Sequence, residues 1–548
     1  MRVSADGTAL PCLHGHGGKA ACALAVCVAF LTFLVVALDP RTRASSWLLS
    51  SSPPAVFSPT LEKPSSRGSS NGGGPLLVTS SSGAAGKKKN SNGKEVLFRA
   101  FAVNATSWPG DVHGATPDYV SVAAPAPSPA TQESGLGDAA NSDGVIQVIP
   151  QIHRERDAKL HRLELGLAKA RSTIMEASHN KDNRPPLTDK DYVPVGPVYR
   201  NANAFHRSYL EMEKLFKIYV YDEGEPPIYH DGPCHNIYST EGRFIHAMEM
   251  ENRMRTTDPG LAHVFFLPFS IAKMEKTIYV PGSHTMEPLR RTVFDYIDVL
   301  STKHPYWNRS QGADHFMLSC HDWGPYVSSV DGNLFSNSIR VLCNANTSEG
   351  FIPSKDVSLP EINHLNDFKK DIGGPSASGR PILAFFAGGN HGPVRPLLLK
   401  HWKGKDPDVQ VSEYLPAGVS YVETMRRSKF CLCPSGFEVA SPRVAEAIYV
   451  ECVPVVIADD YVLPFSDVLS WPAFSLRVAV RDIPDIKRIL SAVSPRRYIR
   501  MQRRVRAVRR HFMLNGVPQR YDVFHMILHS IWLRRLNVRI HEDHVVGD

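Results

Sequence analysis

The 548-residue sequence lacks a nucleophile elbow, since its Gly-x-Ser-x-Gly at Gly68–Gly72 lies in a Ser- and Gly-rich stretch with no strand-turn-helix pattern, and it has no carboxylate pair that stands out, which leaves a hydrolase with little support. Cysteine is sparse, with nine residues in all, and Cys431 and Cys433 have neither a second Cys-x-x-Cys nor a histidine pair to complete a zinc set. Asp-x-Asp, which holds a divalent cation when it follows a strand, occurs at Asp189-Lys190-Asp191, ahead of the globular body, and at Asp406-Pro407-Asp408, in a turn. Neither context suits a site, so no essential metal and no resident cofactor is expected. Hydrophobic residues make up 43% and charged residues 21%, which excludes overall disorder and is enough for two domains plus appendages. A net charge of +8 raises nucleic acid as a partner. The apolar run described next argues instead for a secretory compartment, where an acidic polysaccharide or a membrane surface would answer the charge.

Residues 20–38 form an uncharged run that at 1.5 Å per residue reaches across a bilayer core of about 30 Å. Asp39-Pro40-Arg41 is not a small-residue cleavage site, so the run reads as an uncleaved signal-anchor behind a cytoplasmic tail, residues 1–19. The basic residues flanking it balance and do not set its orientation. The sequons at Asn104, Asn308 and Asn346 all follow it, which favours a luminal C-terminal portion. Cys234, Cys320, Cys343, Cys431, Cys433 and Cys452 also follow it and permit up to three disulfides. Residues 39–150 are rich in Ser, Gly, Pro and Ala and read as a disordered stem. In 151–180 the apolar positions Leu160, Leu163, Leu167, Ala170 and Ile174 share one helical face. That helix either pairs as a short coiled coil with a second copy or another enzyme, or docks on the body; two heptads favour docking.

The body begins near Tyr192. Strand patterns at 216–221, 262–269, 314–319 and 339–343 alternate with helical patterns at 241–255 and 286–303. A second alternation begins at 381–387, after a turn-rich stretch at 373–379. The fold class is therefore α/β, with doubly wound parallel sheets in an N-terminal domain, 192–372, and a C-terminal domain, 380–540. Residues 521–536 are apolar on nearly every side and predict a buried helix.

The densest chemistry lies in 430–458. Two apolar runs flank a turn carrying Ser435 and Gly436 and a helix opened by Ser441 and Pro442, so the unit reads strand, turn, helix, strand. The turn and the free N–H groups of the helix face a crevice suited to a diphosphate. Arg443 can neutralise it, and Glu438 and Glu446 can accept hydrogen bonds from a ribose diol. A parallel arrangement opens the domain, where a strand ends in Gly388 and Gly389 and leads through His391 to Arg395. In the first domain His315, His321, Asp322 and Trp323 are expected to cluster at the carboxyl end of the strand at 314–319, where α/β sheets place ligands, and His321 or Asp322 has the chemistry of a general base. The polar loop 221–231, with Glu223, Glu225, Tyr229, His230 and Asp231, is a further acceptor-side cluster. The arginine-rich run 496–510 predicts a helix with a solvated basic face.

These stretches, with the ordered motifs GEPPIYHDGP, HVFFLPFS, YWNRSQGADHFMLSCHDWGP, NSIRVLCNANTSEGF, KDVSLPE, RPILAFFAGGNHGPVR and YDVFHMILHSIWLRRLNVR, resemble the exostosin family, glycosyltransferase family 47, in its plant form, over residues 193–540. The resemblance implies a Golgi type II membrane enzyme with the two-domain glycosyltransferase-B fold. Such an enzyme transfers a sugar with inversion from a nucleotide sugar, here a UDP-sugar, to a cell-wall polysaccharide, and its last helix crosses back onto the first domain. One departure stands out, since Glu451 occupies a position where similar sequences carry glycine. A left-handed backbone there costs a glutamate roughly 1 kcal/mol. It keeps open a rival reading, a catalytically weak scaffold or glycan-binding subunit that partners an active transferase.

Overall fold

The computed structural model describes residues 143–179, 189–250, 253–363 and 372–540. The apolar run 20–38, the stem before residue 143 and Asn104 lie outside the described residues, among which no helix is long and apolar enough to cross a membrane.

The first described element is helix α1, Asp143–His179. It starts inside the stretch expected to be stem. It lies on helix α2, Ala202–Leu215, and buries Leu160, Leu167 and Ala170. Asn203 donates to the Ala177 carbonyl at 2.7 Å, and Arg535 donates to Glu164 at 2.5 Å. The docked reading of this helix is the one the packing realises.

Two all-parallel sheets follow. The first contains β1 (Ile218–Val220), β2 (Arg255–Thr256), β3 (Val264–Phe266), β4 (His315–Ser319), β5 (Ile339–Leu342) and β6 (Val357–Ser358) in the order β2-β1-β3-β4-β5-β6. Helices α3 (Ser239–Glu249) and α4 (Glu287–Lys303) belong to its crossovers. The second contains β7 (Ile382–Ala387), β8 (Val409–Ser412), β9 (Ser428–Pro434), β10 (Val453–Ile457) and β11 (Leu476–Arg477) in the order β11-β10-β9-β7-β8. Helix α5 (Val394–Trp402) follows β7, and helix α6 (Arg443–Tyr449) joins β9 to β10. Strands β4, β5, β9 and β10 are almost wholly buried, as strands covered on both faces must be, which is why they read as continuous apolar runs.

In the second sheet the chain runs outward from β7 to β8 and then returns to the other side of β7 as β9. The strand order reverses between β7 and β9, and the crevice outside the carboxyl ends of those strands is where open α/β sheets bind ligands. Gly388 follows one strand and Ser435 the other.

After helix α7, Pro495–Val508, the chain forms helix α8, Val523–Asn537, which packs on α1, α2, β5 and β6 and so returns to the first sheet. Arg534 donates to the carbonyls of Asp356 and Pro353 and to Asp467. The segment after β10 ties the domains together as well, with Val462 donating to the Ala345 carbonyl at 2.9 Å and Ser358 to the Val462 carbonyl at 2.6 Å. Two parallel-sheet domains facing one cleft fit a glycosyltransferase-B-like fold.

Disulfides join Cys320 to Cys343 and Cys431 to Cys452, while Cys433 is a buried free thiol. The Cys431–Cys452 bond rules out a metal held by Cys431 and Cys433. The Asp-x-Asp residues are taken up by ion pairs: Asp189 and Asp191 meet Arg520 and Arg510, and Asp406 and Asp408 meet Lys487. Asn308 is exposed on a short helix, whereas Asn346 is 7% exposed and its Oδ1 caps a turn by accepting from Ser348.

Candidate functional site

A cavity of about 810 Å³ lies between the domains and is lined by Asp322, His391, Arg395, Gly436, Glu438, Arg443 and Glu446, all foreseen from sequence, together with Glu361, Asn363, Tyr421 and Phe437, which were not. The second domain supplies its cations. Arg395, 7% exposed in the first turn of α5, donates to the Gly389 carbonyl at 3.3 Å. Arg443 opens α6, lies 4.9 Å over the Phe386 ring and donates to the Ala387 carbonyl at 3.1 Å. The Nε atoms of both arginines are buried without a hydrogen-bond partner, and so is the Ser441 hydroxyl. Burial, and then the neighbouring Arg443, lower the Arg395 pKa to about 10. A buried and a half-buried guanidinium side by side with unspent donors call for an anion between them.

The glycines play a different part from the one expected. A Cβ at Gly388 would sit 2.0 Å from Arg443 Nη2, and one at Gly389 would sit 2.6 Å from His391 Nε2. Neither glycine lines the cavity; each clears space for the side chain that does. The close backbone approach lies elsewhere, since a Cβ at Gly392, whose φ is +66°, would meet the Gly436 carbonyl oxygen at 1.6 Å. Only glycine lets these two turns touch. Ser435 is buried with its N–H on the Ile457 carbonyl, and Ser441 does not cap α6 with its side chain. His391 lies 5.4 Å from the Phe437 ring, which is 62% exposed at the cavity edge.

Carboxylates converge from both sides. Glu446 accepts from the Tyr421 hydroxyl at 3.0 Å, and its pKa is raised by burial although Arg443 opposes the shift. Glu438 reaches across the cleft to Asn344, which donates to it at 2.6 Å and to Glu349 at 3.1 Å. Burial, followed by the charges of Glu349 and Asp322, pushes Glu438 up to about 8. Asp322 bonds the Tyr238 hydroxyl, and its pKa is raised by burial, with a smaller contribution from Glu349. Glu361, in the stretch after β6, is pushed well above the usual carboxylate range by burial and then by Asp322 and Glu446.

His321 departs from expectation. It does not line the cavity, and its Nδ1 accepts from the Trp323 backbone N–H at 3.1 Å. That bond fixes the neutral ring with its proton on Nε2, so the basic nitrogen is already occupied. Burial lowers its pKa to about 4. His315 sits at the amino end of β4, fully buried and 2.8 Å from the Tyr221 hydroxyl, away from Asp322. The loop 221–231 is spent on local pairs, Glu223 with His304, His230 with Glu249 and Asp231 with Lys273.

Two residues that sequence reasoning passed over support the site. Glu241, fully buried at the start of α3, accepts from Ser270 Oγ at 2.5 Å, Ala272 N at 3.2 Å, Ser319 Oγ at 3.2 Å and Cys320 N at 2.7 Å. It clamps the ends of β3 and β4 and so fixes the segment that leads to Asp322. Glu361 was within the KDVSLPE motif, but no periodicity marks a carboxylate that only the tertiary fold brings opposite the arginines.

Glu451 takes the left-handed conformation anticipated for its position, with φ at +58°. Its carboxylate, 2% exposed as a residue, is held by Arg506 at 2.8 and 2.9 Å, Arg509 at 2.8 Å and Gln502 at 3.2 Å. Part of the arginine-rich helix face expected to be solvated therefore grips this residue.

The protein-family model described as the exostosin GT47 domain matches residues 212–493. An Arabidopsis thaliana protein named "Probable glycosyltransferase" is 60% identical over 386 residues, covering 70% of this chain and 74% of that protein. Two further Arabidopsis thaliana proteins, named as a probable glucuronoxylan glucuronosyltransferase and a probable beta-1,4-xylosyltransferase, are 30% and 28% identical, covering 59% and 58% of this chain and 74% and 81% of their own lengths. With a family match over more than half its length and a relative at this identity, the chain belongs to the exostosin GT47 family of glycosyltransferases.

Proposed function

We propose that this glycosyltransferase moves a sugar from a nucleoside diphosphate donor, a UDP-sugar, to a cell-wall polysaccharide with inversion, in the Golgi lumen and anchored by residues 20–38. The observation that carries the donor site is the pair of guanidiniums, Arg395 and Arg443, that line the cavity side by side with unpartnered Nε atoms. A diphosphate pairs with both guanidiniums, and the arginines neutralise the charge that develops on it as the glycosidic bond breaks. Glu446 and Glu438 accept from the nucleoside, and Phe437 offers a ring at the cavity edge.

The acceptor side falls to the first domain. Burial raises Glu361 the more strongly of the two, while Asp322, steadied by the Tyr238 hydroxyl, ionises first. Carboxyl groups driven apart in this way divide acid and base roles. The acceptor hydroxyl gives its proton to Asp322 as its oxygen attacks the anomeric carbon. The bond from that carbon to the diphosphate oxygen breaks, and its electron pair leaves with the diphosphate. A single displacement inverts the centre. The test is binding and turnover of UDP-sugars by the purified full-length chain in detergent, with Glu438→Ala and Asp322→Asn as controls. One donor turned over, lost to binding in the first and to turnover in the second, is the expected result. A folded chain that binds no nucleotide would favour the scaffold reading that Glu451 raised.

A further inference from the structure

The charges lining the cavity bear on the sugar as well as on the diphosphate. Among the described residues the lining carries four carboxyl groups, Asp322, Glu361, Glu438 and Glu446, against two guanidiniums, Arg395 and Arg443. Both cations come from the second domain, at the starts of α5 and α6, where the unpartnered donors lie. His391, the remaining basic side chain of the lining, stands beside them and is held toward its neutral form by burial and by both arginines. The first-domain wall facing them offers Ile237, Asp322, Glu361 and Asn363, which are apolar, acidic or neutral.

Resting on the donor site proposed above, we infer that the transferred sugar is uncharged, a neutral hexose or pentose, and that a uronic acid is rejected. A diphosphate consumes both guanidiniums, so the sugar it carries lies against the carboxyl groups of the first domain. Neutral hydroxyls suit that wall, since they donate to ionised carboxylates and accept from protonated ones. A uronate brings a further anion to groups that already push one another toward protonation, with no free cation to pair it among the described residues of the lining. Unpaired like charge in a desolvated site is a strong means of rejection.

The experiment uses the full-length chain. Affinity for UDP alone is measured first, then binding and turnover of UDP-glucose, UDP-galactose, UDP-xylose and UDP-arabinose against UDP-glucuronate and UDP-galacturonate. The expected result is that UDP binds and that one neutral donor exceeds both uronates at least tenfold in kcat/KM. UDP binding together with a uronate preferred or equal would overturn this inference and leave the donor site standing. Failure to bind UDP would overturn the donor site and this inference with it. The variant Asp322→Asn removes the carboxyl that ionises first at constant size, and in nucleotide-sugar binding it is expected to narrow the neutral-over-uronate ratio several-fold. An unchanged ratio would show that the carboxyl groups do not set the preference.

Discussion

Asp322 and Glu361 enter one cavity from the same domain, and burial raises the pKa of both, with the Asp322 and Glu446 charges adding to the larger rise at Glu361. At this scale Asp322→Asn should lower kcat by about 10²- to 10⁴-fold, the usual share of a general base, while the thermal midpoint stays close to that of the parent. The pH–rate profile should lose activity as pH falls through the Asp322 pKa, which burial places above the ordinary carboxylate range. Arg443→Ala should weaken UDP binding by about 1.5–3 kcal/mol, the worth of a charged hydrogen bond, with titration calorimetry as the measurement. Gly388→Ala should weaken binding in the same direction, because the added methyl takes the place of the Arg443 guanidinium.

Among the elements, helix α7 is amphipathic as its sequence suggests, with Tyr498, Met501, Val505 and Val508 buried. Its register also aims Arg506, and the turn beyond it aims Arg509, at Glu451. The two sides of this contact are not equivalent. Glu451 is nearly inaccessible, whereas the Arg506 and Arg509 side chains are 58% and 26% exposed. Glu451→Gly frees arginines that water can reach and relieves the left-handed backbone, so it should shift stability by no more than about 1 kcal/mol. Removing both arginines strands a buried carboxylate with Gln502 as its remaining side-chain partner, and should cost about 3–5 kcal/mol. Chemical denaturation of the three proteins would separate these outcomes, and equal losses would contradict the asymmetry.

Across the whole molecule, Glu438 joins the domains through Asn344 with its pKa raised to about 8. Because the folded-state value lies above the unfolded one, its contribution to stability is fully present below the ordinary glutamate pKa and is lost as pH rises through about 8. The thermal midpoint should therefore fall from mildly acidic to mildly alkaline pH, and Glu438→Gln should flatten that slope. The domains also share α8, which buries Val523, Phe524, Met526, Ile527, Leu528, Ile531, Trp532 and Leu536. Each such side chain is worth about 1.5–3 kcal/mol, so together, at about 12–24 kcal/mol, they match or exceed a typical net stability of about 5–15 kcal/mol. A chain ending at Tyr521 should fail to give a soluble first domain.

Local pattern determined much of this protein from sequence: the alternation of strands and helices, the buried runs of β4, β5, β9 and β10, the apolar final helix, and the arginines and glutamates around the β9 turn. These follow from chain-neighbour rules, since burial on two faces requires an apolar strand and a strand-to-helix turn presents free N–H groups. The pattern fell short where distant segments meet. The cavity carboxyl at Glu361, the clamp at Glu241, the use of Gly388 to seat Arg443 and the pairing of Glu451 with a helix about 55 residues away all depend on partners far along the chain. Sequence names the groups able to do chemistry, and the tertiary fold sets each one's partners, burial and charge, and so decides which are left free to do it.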